Sequence, residues 1–145
     1  MSAAKQKGTA WETALVRFLG DFFEKRFGLE PRRKAQEGFE DAGDIGGISP
    51  FVGQAKAYKS WEEAIRLGLD GVEKQKIHAG EPYGVAFVKR VRRSVGAGYA
   101  VMTVATFARL LVRLRRAESL LEKYAPDAWE VHASGTSQDL VRELR

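Results

Sequence analysis

The sequence predicts an α/β fold: a mixed sheet of about five strands flanked by helices. Three observations carry this. Apolar residues at helical spacing open the chain and recur after residues 60 and 104. Short runs rich in Val, Ile, Phe, Tyr and Gly lie between them. The resulting order is helix, three strands, helix, strand, strand, helix, and each element can bury one face.

The elements follow in order. Residues 1–7 read as a basic, flexible arm. Thr9 opens a helix that runs to Phe27 and ends at Gly28, with Trp11, Leu15, Phe18 and Phe22 as its apolar stripe. Glu12 lies on the inward-facing side of its first turn and admits two readings. Thr9-x-x-Glu12 fits a capping box, and the same acid fits a metal site. Pro31–Gln36 reads as a polar edge strand. The loop 37–43 follows, and its Asp41 is a weaker substitute for the acid at Asp44. A tight hairpin then joins a strand starting at Asp44 to the strand Phe51–Tyr58.

Ser60-Trp-Glu-Glu63 is a second capping box, opening a helix to Ala79 with Trp61, Ile65, Leu69 and Val72 buried. Gln75 and Lys76 read as solvated. Tyr83–Arg90 is apolar enough for a central strand, Val91–Ala97 is a basic turn, and Tyr99–Thr103 is the last strand. A third helix carries Phe107, Leu110, Leu111, Leu114 and Leu121 on one face, with Arg109, Arg113 and Arg116 toward solvent. Pro126 stops it. Residues 126–145 form a tail with Trp129 and a short helical pattern at Gln138–Leu144.

At 145 residues one domain is expected across 1–145. The chain has no cysteine, which excludes disulfides and thiolate metal sites and fits a reducing, cytoplasmic setting. No apolar run reaches the ~20 residues of a membrane span, so no membrane partner is expected. The net charge of +5 is uneven: Pro82–Ala117 contains no acid and carries +8, leaving −3 for the rest. Such a segment points to a polyanion, and nucleic acid is the reading preferred over a merely solvated basic surface.

The site reading rests on Asp44 to Lys56. Side chains alternate along a strand, so Gln54 and Lys56 share a face while Phe51, Ala55 and Ala57 take the other. An acid at the start of one strand beside a Gln and a Lys on its hairpin partner gathers oxygen ligands for Mg²⁺ and a cation around one small volume. Phosphodiester hydrolysis needs those parts.

Glu12 on a helix, then Asp44, then Gln54-x-Lys56, in an αβββαβ order, resembles the PD-(D/E)xK nuclease superfamily with its restriction-endonuclease-like core. The opening Lys7-Gly8-Thr9-x-x-Glu12 resembles more narrowly the archaeal-type Holliday-junction resolvases, which are homodimeric and Mg²⁺-dependent. The likeness spans roughly residues 7–115. It implies that Glu12 is the helix-borne acid, Asp44 the main metal ligand, the Gln54 amide oxygen and the Ala55 carbonyl further ligands, and Lys56 the group that orients or activates the attacking water. Those families mostly have an acid where this chain has Gln54, although Mrr-type restriction endonucleases resemble it in using Gln there. The expected activity is a structure-selective DNA endonuclease acting with Mg²⁺, or Mn²⁺ in its place, on branched DNA in recombination or repair. Lys7, Lys89, Arg90, Arg92 and Arg93 would hold the DNA backbone, and a two-fold dimer would match a junction with two strands to cut. The alternatives are a restriction or repair nuclease on linear duplex and a non-catalytic DNA-binding module on the same fold.

Overall fold

A computed structural model of the chain describes residues 3–34, 44–58 and 60–143. The elements are α1 (Ala3–Phe23), β1 (Arg32–Arg33), β2 (Ile45–Ile48), β3 (Phe51–Lys56), α2 (Trp61–Ala79), β4 (Tyr83–Val88), β5 (Tyr99–Val101), α3 (Val104–Tyr124) and α4 (Pro126–Glu143). Short 3-10 turns occupy Arg26–Gly28 and Val95–Ala97. The fold is α/β, as the sequence predicts. Its five-stranded sheet has the order β1-β2-β3-β4-β5. β3 and β4 run parallel and every other neighbouring pair is antiparallel, so the sheet is mixed. A parallel pair needs a long crossover, and α2 is that crossover.

Side-chain alternation divides the work between two helices. Trp11 and Leu15 of α1 bury against Ala55, with Phe87 and Val95 beside them. Val16 and Phe23 pack on Ile45, Ile48 and Val85. The odd-numbered residues of β3 and β4 therefore face α1. The even-numbered ones face α2: a Cβ at Gly68 would lie 2.9 Å from the Ala86 Cβ and 3.3 Å from the Lys56 Cγ. Glycine at 68 thus lets the helix approach the sheet more closely than any other residue would.

The chain falls into two compact units, Met1–Thr103 and Val104–Arg145. The first holds the sheet, α1 and α2. The second is a helical hairpin, because Ala125 separates α3 from an α4 that starts on Pro126, a residue suited to the first helical turn. Glu118 on α3 pairs with His132 of α4 at 3.1 Å and with Arg115 at 2.5 Å. The His132 hydrogen bond, then that of Arg115, holds the Glu118 carboxyl below the usual carboxylate range.

Several local expectations change. α1 is already helical at Ala3, so the arm reading fails for residues 3–7 and Thr9 lies inside the helix, where no capping box forms. Instead Thr13 donates its hydroxyl to the Thr9 carbonyl at 2.9 Å. The helix stops at Phe23 rather than Phe27, since Glu24, Lys25 and Phe27 all take positive φ. Among the described residues of the expected first strand, Arg32 and Arg33 form the strand that pairs with β2, and the Lys34 amide donates to the Asp44 carbonyl at 2.8 Å. Residues 35–43, including Asp41, lie outside the described residues. The second cap forms as expected, with Ser60 Oγ accepting from the Glu63 amide at 3.4 Å. Trp61, expected in the core, is 47% exposed, whereas Gln75, expected in solvent, is buried. On α3 the expected apolar face leaves Phe107, Leu111 and Leu114 exposed. The expected tail is the helix α4. No helix among the described residues is long and apolar enough to cross a membrane.

Candidate active site

The sequence turns from β2 into β3 through Ser49-Pro50, whose peptide bond is cis, with one extra residue on the β2 side. Gly47 makes this possible: its φ is +74, and a side chain there would run into the Glu30 carbonyl. The Glu30 amide donates to the Gly47 carbonyl at 3.0 Å and ties the turn down.

Asp44 stands at the other end of β2, beside the carboxyl end of β3. Its amide donates to the Gly53 carbonyl at 3.0 Å. Its Oδ2 accepts from the Ala55 amide at 3.0 Å. The carboxylate thus replaces a backbone carbonyl where the β2 ladder ends. The amide and carbonyl of one strand residue point to the same edge. The Ala55 carbonyl therefore lies on the Asp44 side of β3, next to the carboxylate.

Gln54 and Lys56 project from the face of that strand that meets α2. Gln54 is 8% exposed. With its amide turned to satisfy both neighbours, Nε2 donates to the Gly68 carbonyl at 2.9 Å and Oε1 accepts from Lys56 Nζ at 3.3 Å. Gly71 leaves room for this, since a Cβ there would collide with the Gln54 amide. The Lys56 ammonium is thereby held by a buried amide on one side and lies 5.6 Å from the Tyr58 ring centre on the other.

Glu12 is placed differently. Its Oε2 accepts from Arg33 Nε at 3.0 Å, on the α1 side of the sheet. Asp44, Ala55, Gln54 and Lys56 thus gather at one end of β3, and Glu12 is engaged with β1.

The expected DNA contacts cluster at that same end. The Lys89 amide donates to the Lys56 carbonyl at 3.0 Å, so the turn after β4 leaves directly beside Lys56. Arg92 takes a left-handed backbone, φ +61, and both it and Arg93 are exposed. Arg90 instead works within the turn: its Nη1 donates to the Ala97 carbonyl at 3.2 Å, and its guanidinium lies 4.7 Å from the Tyr99 ring centre. Lys7 falls in α1, and its side chain lies outside the described residues.

Among the described residues no group of three or more His, Cys, Asp or Glu side chains could hold a metal ion. The donors at the end of β2 do suit a hard cation. Mg²⁺ takes one or two carboxylates, completes its shell with water and substrate phosphate, and prefers oxygen ligands. A carboxylate beside a strand carbonyl meets that need. Sequence reasoning missed Tyr99 and misplaced Trp61, which pack edge to face at 5.5 Å and close this end of the sheet. The available signal was the position of Trp61 directly after a cap residue, where a helix begins and its core contacts are fewest.

No protein-family model matches the chain, and no curated protein and no solved structure is significantly similar to it.

Proposed function

We propose that this chain is a metal-dependent endodeoxyribonuclease that hydrolyses phosphodiesters in branched DNA, acting as a cytoplasmic homodimer. The observation that carries the reading is the Asp44 carboxylate fixed on the Ala55 amide, with Lys56 one residue further along the same strand. The exposed cations Arg92 and Arg93 sit on the adjoining turn and can neutralise phosphates without reading bases.

Asp44 and the Ala55 carbonyl would hold the ion. When bound, Mg²⁺ supplies Lewis-acid stabilisation of the phosphoryl oxygens. Lys56 keeps a positive charge beside the attacking water and the phosphate. Gln54 fixes where that charge stands. Water adds to phosphorus, the bond to the leaving sugar oxygen breaks, the attacking water loses a proton and the leaving oxygen gains one.

The ion pair of Glu12 with Arg33 favours a second reading, a DNA-binding module on the same fold. One experiment separates the two. Labelled four-way junction, fork and plain duplex are incubated with the protein and Mg²⁺, Mn²⁺ or EDTA. Metal-dependent cleavage with preference for the junction supports the enzyme. Binding without cleavage under any metal supports the module, and cleavage of duplex at the same rate points to a restriction or repair nuclease.

A further inference from the structure

The sheet ends in a row of three residues directly across from one another: Lys56 on β3, Val88 on β4 and Tyr99 on β5. All three point to the α2 side. Trp61, the first residue of α2, packs edge to face on Tyr99, and the Arg90 guanidinium lies over the Tyr99 ring. Tyr58 continues the Lys56 side chain. Tyr58 is 42%, Trp61 47% and Tyr99 36% exposed. Each ring carries a large apolar face and a polar tip, a combination suited to a contact surface. Here three rings stay in water, each within reach of a cation or another ring.

We propose that Trp61, Tyr99 and Arg90 form a stacking site for an unpaired base of a single DNA strand. Base stacking on aromatic rings combined with a cationic track is how unpaired strands are held, and it is tolerant of sequence. The cations are Lys56, Arg90, Arg92 and Arg93. The acids nearest in the chain are Glu62 and Glu63 on the first turn of α2, both exposed. Duplex DNA offers no free base face to such rings, whereas an opened junction or a flap does. The platform therefore selects DNA with unpaired nucleotides, and the turn that carries Arg92 and Arg93 supplies its cationic track.

The platform also sets an offset, and this part rests on the cleavage reading. β2 and β5 are three strand spacings apart, about 14 Å. At about 3.4 Å per stacked nucleotide, the held base lies about four nucleotides from the phosphate at Asp44.

Binding is measured by fluorescence anisotropy in EDTA, where no cleavage occurs, with a labelled 12-nucleotide single strand and a duplex of equal length. Trp61→Ala is expected to weaken single-strand binding about tenfold and to leave duplex binding within about twofold. Trp61→Phe, which keeps a ring, restores most of the loss. Abasic sites walked along a single-strand flap, whose duplex end fixes the register, weaken the wild type at one position and leave Trp61→Ala indifferent there. Equal losses on single strand and duplex, no loss on either, or a wild type that does not bind the single strand each overturn the stacking site. Because the assay needs no metal, its failure is separate from any failure to cleave. If cleavage occurs, mapping the cut relative to the sensitive abasic position tests the offset, and a separation far from about four nucleotides overturns it.

Discussion

Gln54 holds two elements at once. Its amide donates a hydrogen bond to the Gly68 carbonyl of α2 and accepts one from the Lys56 ammonium. Gln54→Glu keeps the shape but removes the donor, leaving a buried carbonyl facing an oxygen. The expected cost is about 1–3 kcal/mol in urea unfolding at neutral pH, and an unchanged midpoint would show that the amide does not anchor the helix. Asp44→Ala and Lys56→Ala are expected to abolish cleavage while junction binding stays within about threefold. Gel-shift and cleavage assays on each variant check this, and full activity in either removes that residue from the site. The shared face of Gln54 and Lys56 was legible from alternation alone. The Gly68 partner was not, because a hydrogen bond between a strand and the helix that follows it leaves no spacing signal. For the same reason Arg33, which engages Glu12, was invisible.

The elements show where local signals decide and where packing does. The Ser60 cap and the end of α2 at Ala79 form as read, since both depend on residues within one turn, and Gly80 in a left-handed conformation closes the helix. The start of α1 was misread because Thr9-x-x-Glu12 satisfies a cap pattern yet sits inside a helix already begun. Gly68 costs helix propensity and permits close packing against the sheet. Gly68→Ala is expected to destabilise by about 1–3 kcal/mol despite better helix propensity, because the new methyl meets Ala86 and the Lys56 stem. Adding Ala86→Gly should recover much of the loss, and a double variant no better than the single one would place the strain elsewhere. In the α3–α4 hairpin, the depressed Glu118 carboxyl stabilises the folded form. That contribution is fully present above the ordinary carboxylate pKa and is lost as pH falls through the lower folded value. Melting Glu118→Gln and wild type across acid pH should show a gap at neutral pH that closes on acidification.

For the whole molecule, the α/β class and the five-stranded mixed sheet were legible because alternation and helical spacing specify which elements exist and which faces they bury. The division at Thr103 was not, because the α3 stripe looks like any core-facing helix until its exposure is known. The basic segment was visible as composition, but its geometry was not: the turn at 91–98 emerges beside Lys56 through a strand pairing that sequence does not fix. Replacing Arg92 and Arg93 with neutral residues should weaken binding to every DNA form and flatten the log–log salt dependence by about 1–2 units. An unchanged slope would move the phosphate contacts to another surface.

The parallel pairing of β3 with β4 has a consequence in time. The β2–β3 hairpin closes over a few residues, but Phe51 meets Tyr83 only after α2 has been laid between them. The entropy of that long closure has to be met before the pairing gives anything back. If the helix shortens the gap first, docking of Val72 against Gly84 is expected to belong to the nucleus of folding. Val72→Ala is then expected to slow refolding with little change in the unfolding rate, while Ile48→Val, at the hairpin end, speeds unfolding. Stopped-flow chevrons on the two variants would read out the order in which the candidate site is assembled: the Lys56 side of β3 acquires its neighbours only when the crossover has closed.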